Sequence, residues 1–136
     1  MIFLDYDGTL TPKKRLPQEA TPAQEVIELL KTLAKDEKNN IYIVSGRDRK
    51  FLEEFFVGLR VGLAAEHGNF VRKVPKPGDE NKFVWEERTP NIDMRWKEDV
   101  MKIFENVTDF TPGSLVEEKE INVTWHYRNA DPGIVI

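Results

Sequence analysis

The 136-residue sequence contains no cysteine and has no excess of basic residues. The absence of cysteine excludes disulfide scaffolds, zinc–thiolate sites and cysteine nucleophiles, and it suits a reducing compartment. The longest apolar stretch, 55–65, is too short to cross a membrane and contains Arg60. The formal net charge of −4 argues against non-specific nucleic-acid binding, which requires a basic surface. We therefore expect a soluble cytoplasmic protein with no nucleic-acid or membrane partner.

The spacing of the hydrophobic residues predicts an α/β fold. Three short apolar segments, 2–4, 41–44 and 61–65, are typical of buried strands, and each interval between them contains apolar residues at helical spacing. Strands that alternate with helices in this way indicate a doubly wound parallel sheet. We expect Thr21 to cap the first helix and Asp48 to cap the second.

The composition changes in the second half of the chain and predicts a second module. We assign residues 1–88 to the α/β core and residues 89–136 to an α+β module. The module is predicted to begin with a helix from Asp93. Two segments of alternating polarity, 115–119 and 121–128, then predict half-buried antiparallel strands.

Each of the three predicted core strands is followed by a polar cluster. We call these clusters the acidic loop (Asp5–Thr9), the serine loop (Ser45–Arg47) and the histidine turn (Glu66–Gly68). Ligands of parallel α/β sheets bind at the carboxyl ends of the strands. The three clusters are therefore predicted to converge on one site.

The acidic loop and the serine loop contain the groups needed for phosphoryl chemistry. Asp5 and Asp7 leave the strand end on the same side, so one carboxylate can attack while the other transfers protons. A hydrated Asp-Gly turn is the alternative, whereas a calcium loop is excluded because no Glu occupies its twelfth position. Ser45, Gly46 and Arg47 offer a hydroxyl, backbone amides and a positive charge to a phosphate. A plain strand-to-helix turn explains the serine loop equally well.

The second module contains polar residues with more ordinary explanations. Glu117 and Lys119 share a strand face, which on its own indicates a surface ion pair. Arg128 is equally unremarkable alone. Residue spacing assigns no role to His67, Arg72 and His126.

Taken together, these motifs resemble those of a known enzyme family. Asp5–Leu10 and Ser45–Arg47 are similar to the first two motifs of the haloacid dehalogenase-type phosphatases. Further similarity narrows the resemblance to the trehalose-6-phosphate phosphatases, most like the fungal branch. It is found in Ala65–Gly68 with Arg72, in Thr111–Ser114, in Glu117-x-Lys119 and in His126–Pro132.

The resemblance implies a Rossmannoid core with an inserted α/β cap, a requirement for Mg²⁺, and hydrolysis of trehalose 6-phosphate to trehalose and phosphate. Asp5 would be the nucleophile, forming an aspartyl-phosphate, and would ligate Mg²⁺. Asp7 would act as general acid and base and ligate the metal through its backbone carbonyl. Ser45 and Gly46 would bind the phosphoryl oxygens, and Thr9 would support the loop.

The resemblance also assigns the second module. Glu117, Lys119 and Arg128 would line the sugar pocket of the cap, which would close over the core and exclude water. An association with a trehalose-phosphate synthase is also expected.

The family pattern continues with the rest of the cap, a core lysine and an acidic motif, none of which occurs in these 136 residues. We therefore expect this segment to be part of a longer chain and, by itself, to show little or no turnover. A phosphatase for another sugar phosphate and a non-catalytic regulatory domain of the same fold are the alternatives.

Overall fold

The computed structural model describes residues 1–134 and divides into two compact units, with the boundary after Pro90. Among these residues, no helix is long and apolar enough to span a lipid bilayer. The interpretation of the two units as core and cap remains a prediction.

The first unit is built on a five-stranded sheet whose strands follow chain order. The strands are β1 (Ile2–Asp5), β2 (Ile41–Val44), β3 (Gly62–Ala65), β4 (Phe70–Arg72) and β5 (Glu86–Glu87). The first three strands are parallel, whereas β4 and β5 are antiparallel to their neighbours. The predicted α/β fold is confirmed, but the sheet is mixed. Within residues 1–134, β1 lies at the edge of this sheet.

The helices of this unit are α1 (Gln24–Ala34) and α2 (Arg49–Phe56). Asp48 caps α2 as predicted, accepting a hydrogen bond of 2.8 Å from the Phe51 amide. Thr21 does not cap α1, which begins three residues later at Gln24. The reason is that Thr21 belongs to the preceding turn, where its carbonyl accepts a hydrogen bond from the Thr11 hydroxyl.

The core of the first unit is mostly apolar, although Arg72 and Glu66 are also fully buried. Seven of its larger side chains are fully buried: Tyr6, Ile41, Ile43, Leu52, Phe56, Val61 and Leu63. The Tyr6 hydroxyl donates to the Ala20 carbonyl at 2.7 Å, and burial raises the pKa of Tyr6, so the phenol keeps its proton. Since Tyr6 separates Asp5 from Asp7, it anchors the acidic loop to the core.

Over residues 91–134, the second unit consists of one helix and one hairpin. Helix α3 (Trp96–Asp109) precedes β6 (Leu115–Glu118) and β7 (Val123–His126), which pair antiparallel. The helix begins later than the predicted Asp93, because the Asp93 carboxylate accepts hydrogen bonds from the amide and guanidinium of Arg95 in the preceding turn. The predicted pair of antiparallel strands is confirmed.

Candidate active site

The acidic loop is a tight turn held by its own backbone. The Tyr6 carbonyl accepts hydrogen bonds from the amides of Thr9, Leu10 and Thr11, at 3.0–3.3 Å. The Gly8 amide closes the turn by donating to the Thr11 carbonyl at 2.7 Å. Gly8 has a φ of +94°, a conformation that side chains other than hydrogen strongly disfavour. The turn therefore requires the glycine that the motif contains.

Asp5 presents an exposed carboxylate with one oxygen fixed. The Thr9 hydroxyl donates to Asp5 Oδ2 at 3.2 Å. Within residues 1–134, Oδ1 of Asp5 accepts no hydrogen bond, so this oxygen is available to react or to bind a cation. This arrangement suits a nucleophile whose orientation is set by Thr9.

Asp7 is held by the serine loop. The Arg47 guanidinium donates from Nη2 to Asp7 Oδ1 at 2.7 Å and from Nε to Asp7 Oδ2 at 2.9 Å. A third bond runs from Arg47 Nη1 to the Pro17 carbonyl, and the guanidinium lies 4.7 Å from the centre of the Phe51 ring. The Arg47 side chain is 11% exposed and that of Asp7 39%. A partly buried, bidentate ion pair thus joins the acidic loop to the serine loop.

Ser45 is buried with its hydroxyl already oriented. β1 and β2 are in parallel register with Asp5 opposite Val44, which places Ser45 at the same end of the sheet as the acidic loop. Its Oγ accepts a hydrogen bond of 3.1 Å from the Arg47 amide, and its side chain is almost fully enclosed. Among residues 1–134 the hydroxyl proton of Ser45 has no acceptor, so it can be donated to an incoming phosphoryl oxygen.

The histidine turn meets the serine loop, as the position of both at strand ends predicted. Glu66 and His67 donate their amides to the carbonyls of Arg47 and Ser45, at 2.9 and 3.0 Å. Both residues have positive φ, 44° and 60°, a strained conformation that often occurs at functional sites. The His67 ring lies so close to Gly46 that a Cβ there would be 2.6 Å from its Cε1. The only signal in the sequence was the position of the turn at a strand end.

Arg72 has a structural role and does not belong to the group formed by the acidic loop, the serine loop and the histidine turn. Its side chain is fully buried, lies over the Phe83 ring, and donates to the carbonyls of Glu80 and Lys82. Burial lowers the pKa of the Arg72 guanidinium. Arg72 therefore holds the loop between β4 and β5 against the sheet.

The second unit has a polar cluster of its own. Glu117 Oε2 lies 2.7 Å from His126 Nε2 and 3.5 Å from Lys119 Nζ. Arg128 follows β7 by two residues. The structure thus brings Glu117 and Lys119 together and adds His126, which sequence spacing left unassigned.

The acidic loop provides oxygen ligands of the kind that Mg²⁺ prefers. No three His, Cys, Asp or Glu side chains among residues 1–134 are grouped closely enough to hold a metal. Mg²⁺, however, is commonly bound by one or two carboxylates with waters completing its shell. Asp5 Oδ1 and the Asp7 carbonyl accept no hydrogen bond within this part of the chain, so both can serve as ligands. The donor set fits Mg²⁺.

Other solved structures share the fold of this chain. A haloacid dehalogenase-like hydrolase from B. subtilis shares the fold, with a TM-score of 0.54 at 17% identity over 85% of this chain and 36% of that chain. The sequence also matches a family model, that of trehalose-phosphatase, over residues 3–134. The chain belongs to the trehalose-phosphatase family.

Individual relatives agree with the family. The structure of the C. albicans trehalose-6-phosphate phosphatase C-terminal domain matches with a TM-score of 0.89 and 42% identity, over 98% of this chain and 44% of that chain. The UDP-forming alpha,alpha-trehalose-phosphate synthase B of Dictyostelium discoideum is 47% identical over 97% of this chain. This chain spans only 16% of the length of that relative.

Proposed function

We propose that the protein containing this chain hydrolyses trehalose 6-phosphate to trehalose and phosphate. Membership of the trehalose-phosphatase family supports this substrate. The observation that carries the proposal is the placement of Asp5 Oδ1 and the Ser45 hydroxyl, neither of which has its bonding capacity filled within residues 1–134, at the ends of adjacent parallel strands. A phosphoryl group bound there would meet a nucleophile and a hydrogen-bond donor at once.

The first chemical step forms an aspartyl-phosphate. Asp5 Oδ1 attacks phosphorus and the bond from phosphorus to the sugar oxygen breaks. Asp7, which must first leave its ion pair with Arg47 and take up a proton, gives that oxygen the proton. In the second step Asp7 takes a proton from water, whose oxygen attacks phosphorus and releases Asp5. Ser45, the Gly46 amide and the Arg47 charge bind the phosphoryl oxygens, while Thr9 orients Asp5. Asp5 and the Asp7 carbonyl would hold Mg²⁺, which would supply charge neutralisation for the phosphoryl group.

Sugar recognition is assigned to the second unit, as the cap of the enzyme over residues 89–136, with residues 1–88 as the amino-terminal part of the core. Glu117 accepts hydrogen bonds from sugar hydroxyls, and Lys119 and Arg128 donate to hydroxyl oxygens or attract the phosphate. A site built from such bonds rejects sugars that leave its polar groups unpaired.

A trehalose-phosphate synthase is proposed as an associated activity, since this sequence matches part of a relative that is named as a synthase. Co-purification of synthase activity with the full-length protein tests that association.

A cytoplasmic location is proposed because the chain lacks cysteine, which suits a reducing compartment. Imaging of the tagged protein tests the location.

The central test compares the full-length protein with Asp5→Asn. Loss of the nucleophile is expected to lower kcat on trehalose 6-phosphate by at least about 1,000-fold. Asp109→Asn is the matched control, because Asp109 is an exposed aspartate at the end of α3 and should leave the rate unchanged. Equal activity of Asp5→Asn and the unmodified protein would exclude a nucleophilic Asp5.

A further inference from the structure

The register of the β6–β7 hairpin separates its two faces by function. Leu115 lies opposite His126 and Glu117 opposite Thr124, so Glu117 and His126 are diagonal neighbours on one face. On the other face Trp125 donates from its indole nitrogen to the Thr108 hydroxyl of α3 at 3.1 Å. The Glu117 face is therefore directed away from the helix that supports the hairpin.

Glu117 has a hydrogen-bond partner and an ion-pair partner at the same oxygen. His126 Nε2 is 2.7 Å from Glu117 Oε2, and Lys119 Nζ is 3.5 Å from that atom. Oε1 of Glu117 accepts no hydrogen bond within residues 1–134. The carboxylate is 27% exposed and His126 29%, whereas Lys119 is only 8% exposed. One carboxylate oxygen is thus held from within the protein, and the other is available to a ligand.

We propose that His126 is a positioning residue for sugar recognition, which rests on the role proposed above for Glu117. The Nε2–H of His126 donates to Glu117 Oε2 and holds the carboxylate so that Oε1 meets a sugar hydroxyl. Without this bond the Glu117 side chain samples other rotamers, and each binding event has to select the correct one. His126 itself touches no substrate.

The chain offers a matched set of variants at this position. The side-chain nitrogen of Gln is the same number of bonds from Cα as His Nε2, whereas that of Asn is one bond shorter. His126→Gln therefore preserves the donor to Glu117, and His126→Asn preserves only polarity. If His126 had only a structural role, the Gln and Asn variants would have the same effect on sugar recognition.

The test measures steady-state kinetics of the full-length protein on trehalose 6-phosphate and on p-nitrophenyl phosphate, a generic ester. His126→Ala and His126→Asn are expected to raise KM for trehalose 6-phosphate about tenfold, the effect of losing one hydrogen bond, with kcat little changed. His126→Gln is expected to recover KM to within about threefold. The generic ester lacks the sugar, so its hydrolysis should be the same in all three variants. The inference is overturned if Gln behaves like Ala, or if both substrates are affected in parallel.

Failure of the proposed function would give a different result, because the unmodified protein would then not hydrolyse trehalose 6-phosphate at all.

The hydrogen bond between His126 and Glu117 is measured independently by the ¹⁵N chemical shifts of the His126 ring in the unmodified protein and in Glu117→Gln. A donated Nε2–H predicts a shift at Nε2 when the carboxylate is replaced. Unchanged ring shifts would overturn the inference whatever the substrate.

Discussion

Replacing Arg47 with Ala tests the connection between the acidic loop and the serine loop. The substitution removes both hydrogen bonds to Asp7, the bond to the Pro17 carbonyl, and the contact with the Phe51 ring. Because Asp7 is 39% exposed, water replaces much of what its carboxylate loses.

The expected cost follows from these contacts. The ion pair, discounted for the exposure of Asp7, contributes about 1 kcal/mol. The bond to Pro17 contributes about 1 kcal/mol, and the cation–π contact about 1 kcal/mol. We therefore expect Arg47→Ala to lower the free energy of unfolding by about 3 kcal/mol, which for a domain of this size lowers Tm by about 10 °C.

Urea denaturation followed by circular dichroism measures the change. Arg95→Ala is the matched control, because Arg95 also forms an ion pair but its side chain is 91% exposed, and we expect no measurable change in stability. A double-mutant cycle with Asp7→Asn should give a coupling of about 1 kcal/mol. A loss below about 1 kcal/mol for Arg47→Ala, or a coupling near zero, would refute the reasoning.

The same variant separates two roles for Arg47. If Arg47 acts by orienting Asp7, the substitution lowers kcat on trehalose 6-phosphate with KM little changed. If its charge binds the phosphate, as the sequence predicts, KM rises instead. Steady-state kinetics of the full-length protein distinguish these outcomes.

Two further substitutions test the remaining parts of the site. Gly46→Ala would place a methyl group 2.6 Å from the His67 ring, and we expect kcat/KM to fall about tenfold as the serine loop shifts, with recovery when His67→Ala is added. A double variant as impaired as Gly46→Ala alone would show that the clash with the His67 ring is not the cause of the loss. Glu117→Ala should lower kcat/KM on trehalose 6-phosphate about 100-fold but leave kcat/KM on p-nitrophenyl phosphate unchanged, because only the sugar phosphate needs the carboxylate. An equal fall on both esters would remove Glu117 from sugar recognition.

The spacing of residues in the sequence was sufficient to predict those features of the protein that depend on contacts between near neighbours in the chain. The apolar runs identify β1, β2 and β3, and the polar residues after them mark the end of the sheet where Asp5 and Ser45 lie. Asp48 caps α2 because an N-cap bond spans only three residues. The alternation in the hairpin likewise places Glu117 beside Lys119.

The partners of the long polar side chains depended on the packing of distant segments. Arg47 contacts Asp7, 40 positions away, because two parallel strands end side by side. His67 reaches Gly46 because the chain turns through two residues of positive φ after β3, which no residue type there would indicate. His126 meets Glu117 because the hairpin register makes them diagonal neighbours. For a long polar side chain, the sequence offers many possible partners. Only the folded backbone brings one of them within hydrogen-bonding distance.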